Sequence, residues 1–180
     1  MRSKRAAAAA LVVGLTASMG ATSLASAATI TEDEVLAAQQ AWADGIVGIG
    51  QTYLDKGDYR AAASEHIREL YAYEQGGVLF KPTLAREDQF RGTFDEALSY
   101  FVGGGLEEDA GFAIKPWQQV RFGERHMVIN GQSALAMGNY YFTPADSDVE
   151  TKVEYTFGYI RDEDGRLRIN LHHSSLPFQN

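Results

Sequence analysis

The chain contains no cysteine. That absence excludes disulfides, thiolate catalysis and thiolate metal sites, so stability must come from packing alone. There is no basic patch either: 16 Lys and Arg stand against 24 Asp and Glu, for a formal net charge of −8. An acidic chain with dispersed charges is a poor partner for nucleic acid or an anionic membrane surface. The charge reads as solubility. No glycine-rich phosphate loop, nucleophile elbow or carboxylate pair at a telling spacing is present. Beyond residue 27 there is no internal repeat, linker, low-complexity segment or membrane-length apolar run.

At the N-terminus, Arg2, Lys4 and Arg5 precede an apolar stretch from Ala6 to Gly14 that continues more loosely to about Met19. Ser23-Leu24-Ala25-Ser26-Ala27 then ends in a small-x-small pattern. These are the three parts of a secretory signal peptide, with cleavage expected after Ala27. The apolar core is short for a bilayer and diluted by Gly, Thr and Ser, which argues against a retained anchor. Cleavage of the 180-residue chain would leave 153 residues with a net charge of −11, because three cations and no acids leave with residues 1–27. Residues 28–180 are expected to form one domain with a real core, periplasmic or secreted and free of the membrane.

Thr31, with Glu34 three residues on, has the pattern of a capping box. Val35, Leu36, Trp42, Ile46, Ile49, Tyr53 and Leu54 follow at helical spacing. Gly45, Gly48 and Gly50 either weaken this helix or mark close packing. After Lys56-Gly57, Asp58 can cap a second helix through Tyr71, and the aromatic stripe of the pair reads as core. Residues 78–83 read as a short strand running into a turn, and Thr93 can cap a short helix from Phe94 to Val102. The period then changes to two. Strands are expected from Trp117 to Ile129, Ser133 to Phe142, Val149 to Ile160 and Leu167 to Leu176, with Asn130-Gly131 as a two-residue hairpin turn. Helices followed by an antiparallel meander imply an α+β fold: a curved antiparallel sheet wrapped by the N-terminal helices, cone-shaped with an internal pocket.

The first candidate for chemistry is Leu171-His172-His173-Ser174-Ser175-Leu176-Pro177. Neighbouring side chains on a strand point to opposite faces. His173 and Ser175 therefore share one face with Leu171, and His172 and Ser174 share the other, so one metal ion cannot take both histidines from a regular strand. His66 and His126 show no short-range ligand spacing. A structural histidine is the commoner reading. The second candidate is Thr83 in Phe80-Lys81-Pro82-Thr83, a hydroxyl held rigidly after proline; the bland alternative is a turn-forming threonine. The third is Tyr100, just before Gly103-Gly104-Gly105. Its phenol can donate, accept and, with a lowered pKa, transfer a proton, unless it is simply a core aromatic.

Taken together, these motifs resemble those of the iota-class carbonic anhydrases. That group is similar to the calcium/calmodulin-dependent kinase II association domain, within the nuclear transport factor 2-like superfamily. The resemblance rests on Gly57-Asp58-Tyr59, Leu70-Tyr71-Ala72-Tyr73, residues 78–83, residues 97–104, Ala136-Met137-Gly138-Asn139-Tyr140, residues 154–159 and residues 172–177. Where some members carry a third histidine before the pair, this chain has Leu171. The resemblance implies reversible hydration of CO2 to bicarbonate without a metal cofactor, zinc being the disfavoured alternative. It implies Thr83, Tyr100 and Ser175 as the substrate-holding residues; His173, beside Ser175 on the same strand face, is expected to help relay the proton. It also implies a homodimer or larger homo-oligomer. A non-catalytic small-molecule-binding or oligomerisation module of the same fold is the alternative. A further one is an isomerase or other hydratase using Glu65, Glu69 or Glu154 in the same pocket.

Overall fold

The computed structural model describes residues 28–179, so the expected signal peptide at 1–27 lies outside the described residues. Helix α1 spans Glu32–Leu54 and opens with the expected capping box between Thr31 and Glu34. Helix α2 spans Tyr59–Leu70 and is capped by Asp58, whose carboxylate accepts from the Ala61 amide. The two pack as a hairpin. A Cβ on Gly45 would fall 2.0 Å from the His66 ring and one on Gly50 would sit 3.2 Å from the Ala113 carbonyl, whereas Gly48 faces open space. Close packing thus accounts for two of these three glycines. Helix α3, Phe94–Val102, has its own capping box from Thr93 and Glu96. It packs on α2 and on a 3₁₀ turn at Phe112–Ile114.

Five strands form one open sheet: β1 Leu79–Lys81, β2 Trp117–Asn130, β3 Ser133–Pro144, β4 Thr151–Arg161 and β5 Leu167–Ser175. Their order across the sheet is β1-β5-β4-β3-β2. The meander β2 to β5 is antiparallel, while β1 joins β5 in parallel, with Phe80 opposite His172. The β2–β3 hairpin turns one residue later than the expected Asn130-Gly131. Asn130 pairs with Ser133, and the turn is Gly131-Gln132. Gly131 takes φ 61 at the first central position, a conformation that costs glycine nothing.

The sheet has three register shifts: one leaves Gln118 extra in β2, between the pairs Trp117–Pro144 and Gln119–Thr143, and two are bulges opposite glycines. In β2, Gly123 and Glu124 together oppose Asn139 between the pairs Phe122–Tyr140 and Arg125–Gly138. In β5, Asn170 is extra between the pairs Ile169–Tyr159 and Leu171–Gly158. Each bulge crowds a glycine on β3 or β4. A Cβ on Gly138 would lie 2.0 Å from the Glu124 carbonyl oxygen, and one on Gly158 would lie 2.8 Å from Asn170 Oδ1. Bulges of this kind bend a strand, increase its twist and re-aim the side chains that follow.

The sheet's inner face and the helices enclose a core rich in aromatic rings. Trp42 sits at its centre, within 6.4 Å of the rings of His66, Phe122, Tyr140, Phe142, Phe157 and His172. With no covalent cross-link, this core carries the stability. Rings packed edge-to-face or offset contribute roughly 0.5–1.5 kcal/mol per pair beyond their buried area.

Candidate active site

A chamber of about 550 Å³ opens between α1, α3, the 3₁₀ turn and the inner face of the sheet. Thr83, Tyr100, Tyr140, His172 and Ser174 line it, among Trp42, Phe80, Phe101, Phe112, Trp117 and Phe142. Thr83 stands at the turn that ends β1. Buried Pro82 precedes it, so a fixed φ sets the hydroxyl's direction. Thr83 Oγ1 donates to Ser174 Oγ at 2.8 Å. Tyr100 lies in the last turn of α3, stacked on Phe112 at 5.6 Å and edge-on to Phe80. The Leu84 amide, next to Thr83, is hydrogen-bonded to the Tyr100 phenol. The phenolic proton is left to donate elsewhere.

Of the four residues expected from the sequence, the structure brings Thr83 and Tyr100 together and sets Ser175 and His173 apart from them. Ser175 and His173 line a shallow cleft on the opposite face of the sheet, with Glu124, His126 and Glu154. Ser175 Oγ donates to Glu154 Oε2 at 3.0 Å, and His173 is exposed. Ser174 and His172, 4% and 3% exposed, occupy the chamber instead. The cause is the Asn170 bulge. Before it, Leu167 and Ile169 point inward. The extra residue flips the alternation, so that His172 and Ser174 face the core and His173 and Ser175 face out. Tight packing of Gly158 against Asn170 and Leu171 was the signal in the chain, since a glycine inside a strand marks a bulge or a close approach.

Behind Ser174 runs a connected set of polar groups, of which sequence reasoning had placed Trp42 and Tyr71 in the core. Trp42 Nε1 donates to Tyr71 Oη at 2.8 Å, and Tyr71 Oη meets His172 Nδ1 at 2.9 Å. His172 Nε2 approaches Tyr140 Oη at 3.5 Å, and Tyr140 is hydrogen-bonded to Ser174. The indole can only donate, so Tyr71 accepts from it and gives its own proton to Nδ1. The neutral ring then carries its proton on Nε2, facing Tyr140. A connected path thus runs from Trp42 through Tyr71, His172 and Tyr140 to Ser174. Ser174 accepts from Thr83 and is bonded to Tyr140 at the chamber wall.

The titration behaviour of these groups agrees. Burial lowers the His172 pKa from 6.5 to about 3, with the neighbouring His173 and His66 adding to it. The ring is therefore neutral across the physiological range. Burial also raises the phenols of Tyr71, Tyr100 and Tyr140 above their ordinary value. The lowered pKa that would make Tyr100 a proton-transfer group is thus absent; these phenols donate hydrogen bonds and stay protonated.

The rim of the chamber carries two carboxylates, Glu108 and Asp109, both tied up. Asp109 pairs with fully buried Arg91 at 2.7 Å and accepts from Ser99 at 2.7 Å. Glu108 accepts from the successive amides of Arg86, Glu87 and Asp88 at 2.9–3.0 Å, which with Arg91 holds its pKa down to about 2. Glu65 and Glu69 are exposed on α2 and Glu154 is on the outer face, so none of the three reaches the chamber. Among the described residues, no group of three or more His, Asp or Glu is placed to hold a metal ion.

The family model for metal-independent carbonic anhydrases matches residues 33–176. The chain belongs to the metal-independent carbonic anhydrase family. A metal-independent carbonic anhydrase from Nostoc sp. (strain PCC 7120) is 44% identical over 155 residues, covering 83% of this chain and 75% of that protein. The crystal structure of a cyanobacterial iota-carbonic anhydrase complexed with bicarbonate superimposes with a TM-score of 0.81 at 42% identity, covering 84% of this chain and 95% of that one. A nuclear transport factor 2-like protein of unknown function from Pseudomonas putida follows at a TM-score of 0.55 and 16% identity, covering 82% and 87%. That likeness concerns the fold alone. Within the metal-independent carbonic anhydrase fold, Thr83, Tyr100, Tyr140 and Ser174 are among the hydroxyls that line this chain's chamber.

Proposed function

We propose that this protein interconverts CO2 and bicarbonate without a metal cofactor, in the chamber closed by Thr83, Tyr100 and Ser174. Family membership supports the reaction, and the paired Thr83 and Ser174 hydroxyls in an apolar chamber are the observation that carries the site. CO2 is small, linear and apolar, so aromatic walls admit it. As water attacks the carbon, a C–O bond forms, the two original oxygens share a developing negative charge, and the water gives up one proton. The Ser174 hydroxyl and the Tyr100 phenol are the donors free to meet that charge. Preorganised donors in a site of low dielectric are the largest common source of such stabilisation. The connected groups from Trp42 to Tyr140 hold Ser174 in place. His172 acts through Tyr140 and Ser174: held neutral, it is a positioning residue, and the released proton leaves through the chamber mouth to water.

Three further parts of the reading concern the setting. Residues 1–27 are a signal peptide and residues 28–180 the exported domain. The fold supports that boundary, because Ile30 is buried and bonded to the Gly131 carbonyl, and Arg161 holds the carbonyls of Ala28 and Thr29. The protein works in the periplasm or outside the cell. It assembles as a homodimer or larger homo-oligomer, for which exposed Val128, Leu135 and Met137 on the outer face of the sheet offer apolar surface. N-terminal sequencing of exported protein and light scattering of the purified domain test these points.

The reaction itself is tested by stopped-flow CO2 hydration on exhaustively chelated protein, with metal content measured on the same sample. Activity retained in metal-free protein is expected. Activity that returns only with added zinc, or none under either condition, would overturn the reading.

A further inference from the structure

The chamber is far larger than CO2 or bicarbonate requires. It measures about 550 Å³, whereas an apolar cavity of about 150 Å³ is enough to take a benzene ring. The hydroxyls read as holding bicarbonate, Thr83, Ser174 and Tyr100, belong to one group, with Thr83 bonded to Ser174 and the neighbouring Leu84 amide bonded to Tyr100. Beside that group stands a second one made only of rings. Phe112 stacks on Tyr100 at 5.6 Å, meets Phe142 edge-on at 5.4 Å and lies 5.6 Å from Trp117, which is 5.2 Å from Phe142. Ile114 completes this wall. Lys115 is the one cation among the lining residues, its Nζ 5.0 Å from the centre of the Trp117 ring. A hydroxyl subsite, an adjoining aromatic subsite and a lysine beside it form an arrangement that hydration of CO2 alone does not use.

We propose that the Phe112–Trp117–Phe142 wall is a second binding subsite, and that the whole chamber takes small aromatic monocarboxylates. The inference rests on the reading of Thr83, Ser174 and Tyr100 as the groups that hold bicarbonate. A carboxylate presents the same planar, negatively charged O–C–O unit, so donors placed for one receive the other. The ring then lies against Phe112, Phe142 and Trp117, where offset and edge-to-face contacts are favourable. Lys115 meets the anion on entry. Such acids exclude bicarbonate from the chamber, and the protein becomes sensitive to them. Acetate carries the same carboxylate without a ring to bury. Benzoate is therefore expected to bind roughly ten- to a hundredfold more tightly than acetate, from the apolar area of the ring less the cost of fixing it.

The test compares benzoate with acetate on the intact domain by two readouts. Trp42 and Trp117 both line the chamber, so their fluorescence reports binding whether or not the protein is catalytically active. Inhibition of bicarbonate dehydration reports occupancy of the reaction site. The expected result is a benzoate preference of at least tenfold in the fluorescence titration, lost progressively as bicarbonate is added. In Ile114→Phe and in Leu176→Phe, which narrow the chamber and its mouth, the benzoate-to-acetate ratio should fall toward one. Equal affinities in the unmodified protein overturn the proposal, and so does benzoate binding that bicarbonate does not displace. Benzoate preference in a protein without CO2-hydration activity would sink the proposed reaction and leave the ligand site standing. Full activity without the preference would do the reverse.

Discussion

Two adjacent serines on opposite faces of the sheet give the proposed inner-face site its sharpest test. Ser174 Oγ is buried, accepts the Thr83 hydroxyl at 2.8 Å and is bonded to Tyr140; Ser175 Oγ, on the other face, reaches only Glu154. Ser174→Ala removes a donor aimed at the developing charge, and loss of one such donor costs about 10²–10³ in rate, or about 2.7–4 kcal/mol of transition-state stabilisation. It also leaves the Thr83 and Tyr140 hydroxyls without their partner, at a cost of about 1–3 kcal/mol of stability. For a domain of this size, each kcal/mol lowers Tm by about 2–4 °C, so a fall of roughly 2–12 °C is expected and the variant remains folded at 25 °C. Ser175→Ala breaks an accessible bond on the outer face and should stay within about 0.5 kcal/mol of the parent in stability. Its kcat for CO2 hydration should be unchanged. The assay is stopped-flow hydration with a pH indicator at 25 °C, beside thermal melts of both variants. If Ser175→Ala loses activity a hundredfold while Ser174→Ala keeps it, the assignment of the inner face as catalytic is wrong.

Three other outcomes follow from the same structure. His66 and His172 are buried with pKa values lowered from 6.5 to about 4 and about 3, so the unfolded chain binds protons that the folded chain refuses. Their contribution is complete above about pH 6.5 and is lost as pH falls. The urea midpoint should therefore drop between pH 6.5 and 5, by up to about 1.4 kcal/mol per unit per histidine, and a flat profile there would refute it. Arg91→Met strands Asp109, whose side chain is 2% exposed, and should cost about 3–5 kcal/mol in denaturant unfolding; a change below 1 kcal/mol would show that the rim does not depend on this pair. Gly138→Ala forces a Cβ into the Glu124 carbonyl at the β2 bulge and should destabilise by about 1–3 kcal/mol. An unchanged melting temperature would mean that the bulge yields freely.

Local chemistry made much of this fold readable in advance. The three helix starts were legible because a capping threonine or aspartate satisfies amides within three residues of itself, and Thr31, Asp58 and Thr93 each do so. The four long strands were legible because alternation is a property of neighbours in the chain. The parallel addition of β1 to β5 was not, since nothing in three residues says which edge they will join. Nor was the role of Trp42, Tyr71 and Tyr140. An aromatic stripe looks the same whether its hydroxyls point into packing or form a chain that ends at a pocket.

The sequence by itself determined a cysteine-free, acidic α+β domain, and it presented Thr83, Tyr100 and a His-His-Ser-Ser strand as the groups with chemistry to offer. It also determined that only one histidine and one serine of that strand could share a face. Which pair faced inward was a tertiary decision. Counting alternation from Leu167, Ile169 and Leu171 leads to His173 and Ser175. The extra residue at Asn170 shifts the count by one and delivers His172 and Ser174 instead. A bulge exists only relative to a partner strand, and the space for this one is made by Gly158 across the sheet. Contacts between residues distant in the chain therefore chose the inward hydroxyl, for the physical reason that a pleat has two sides and only packing decides which of them is buried.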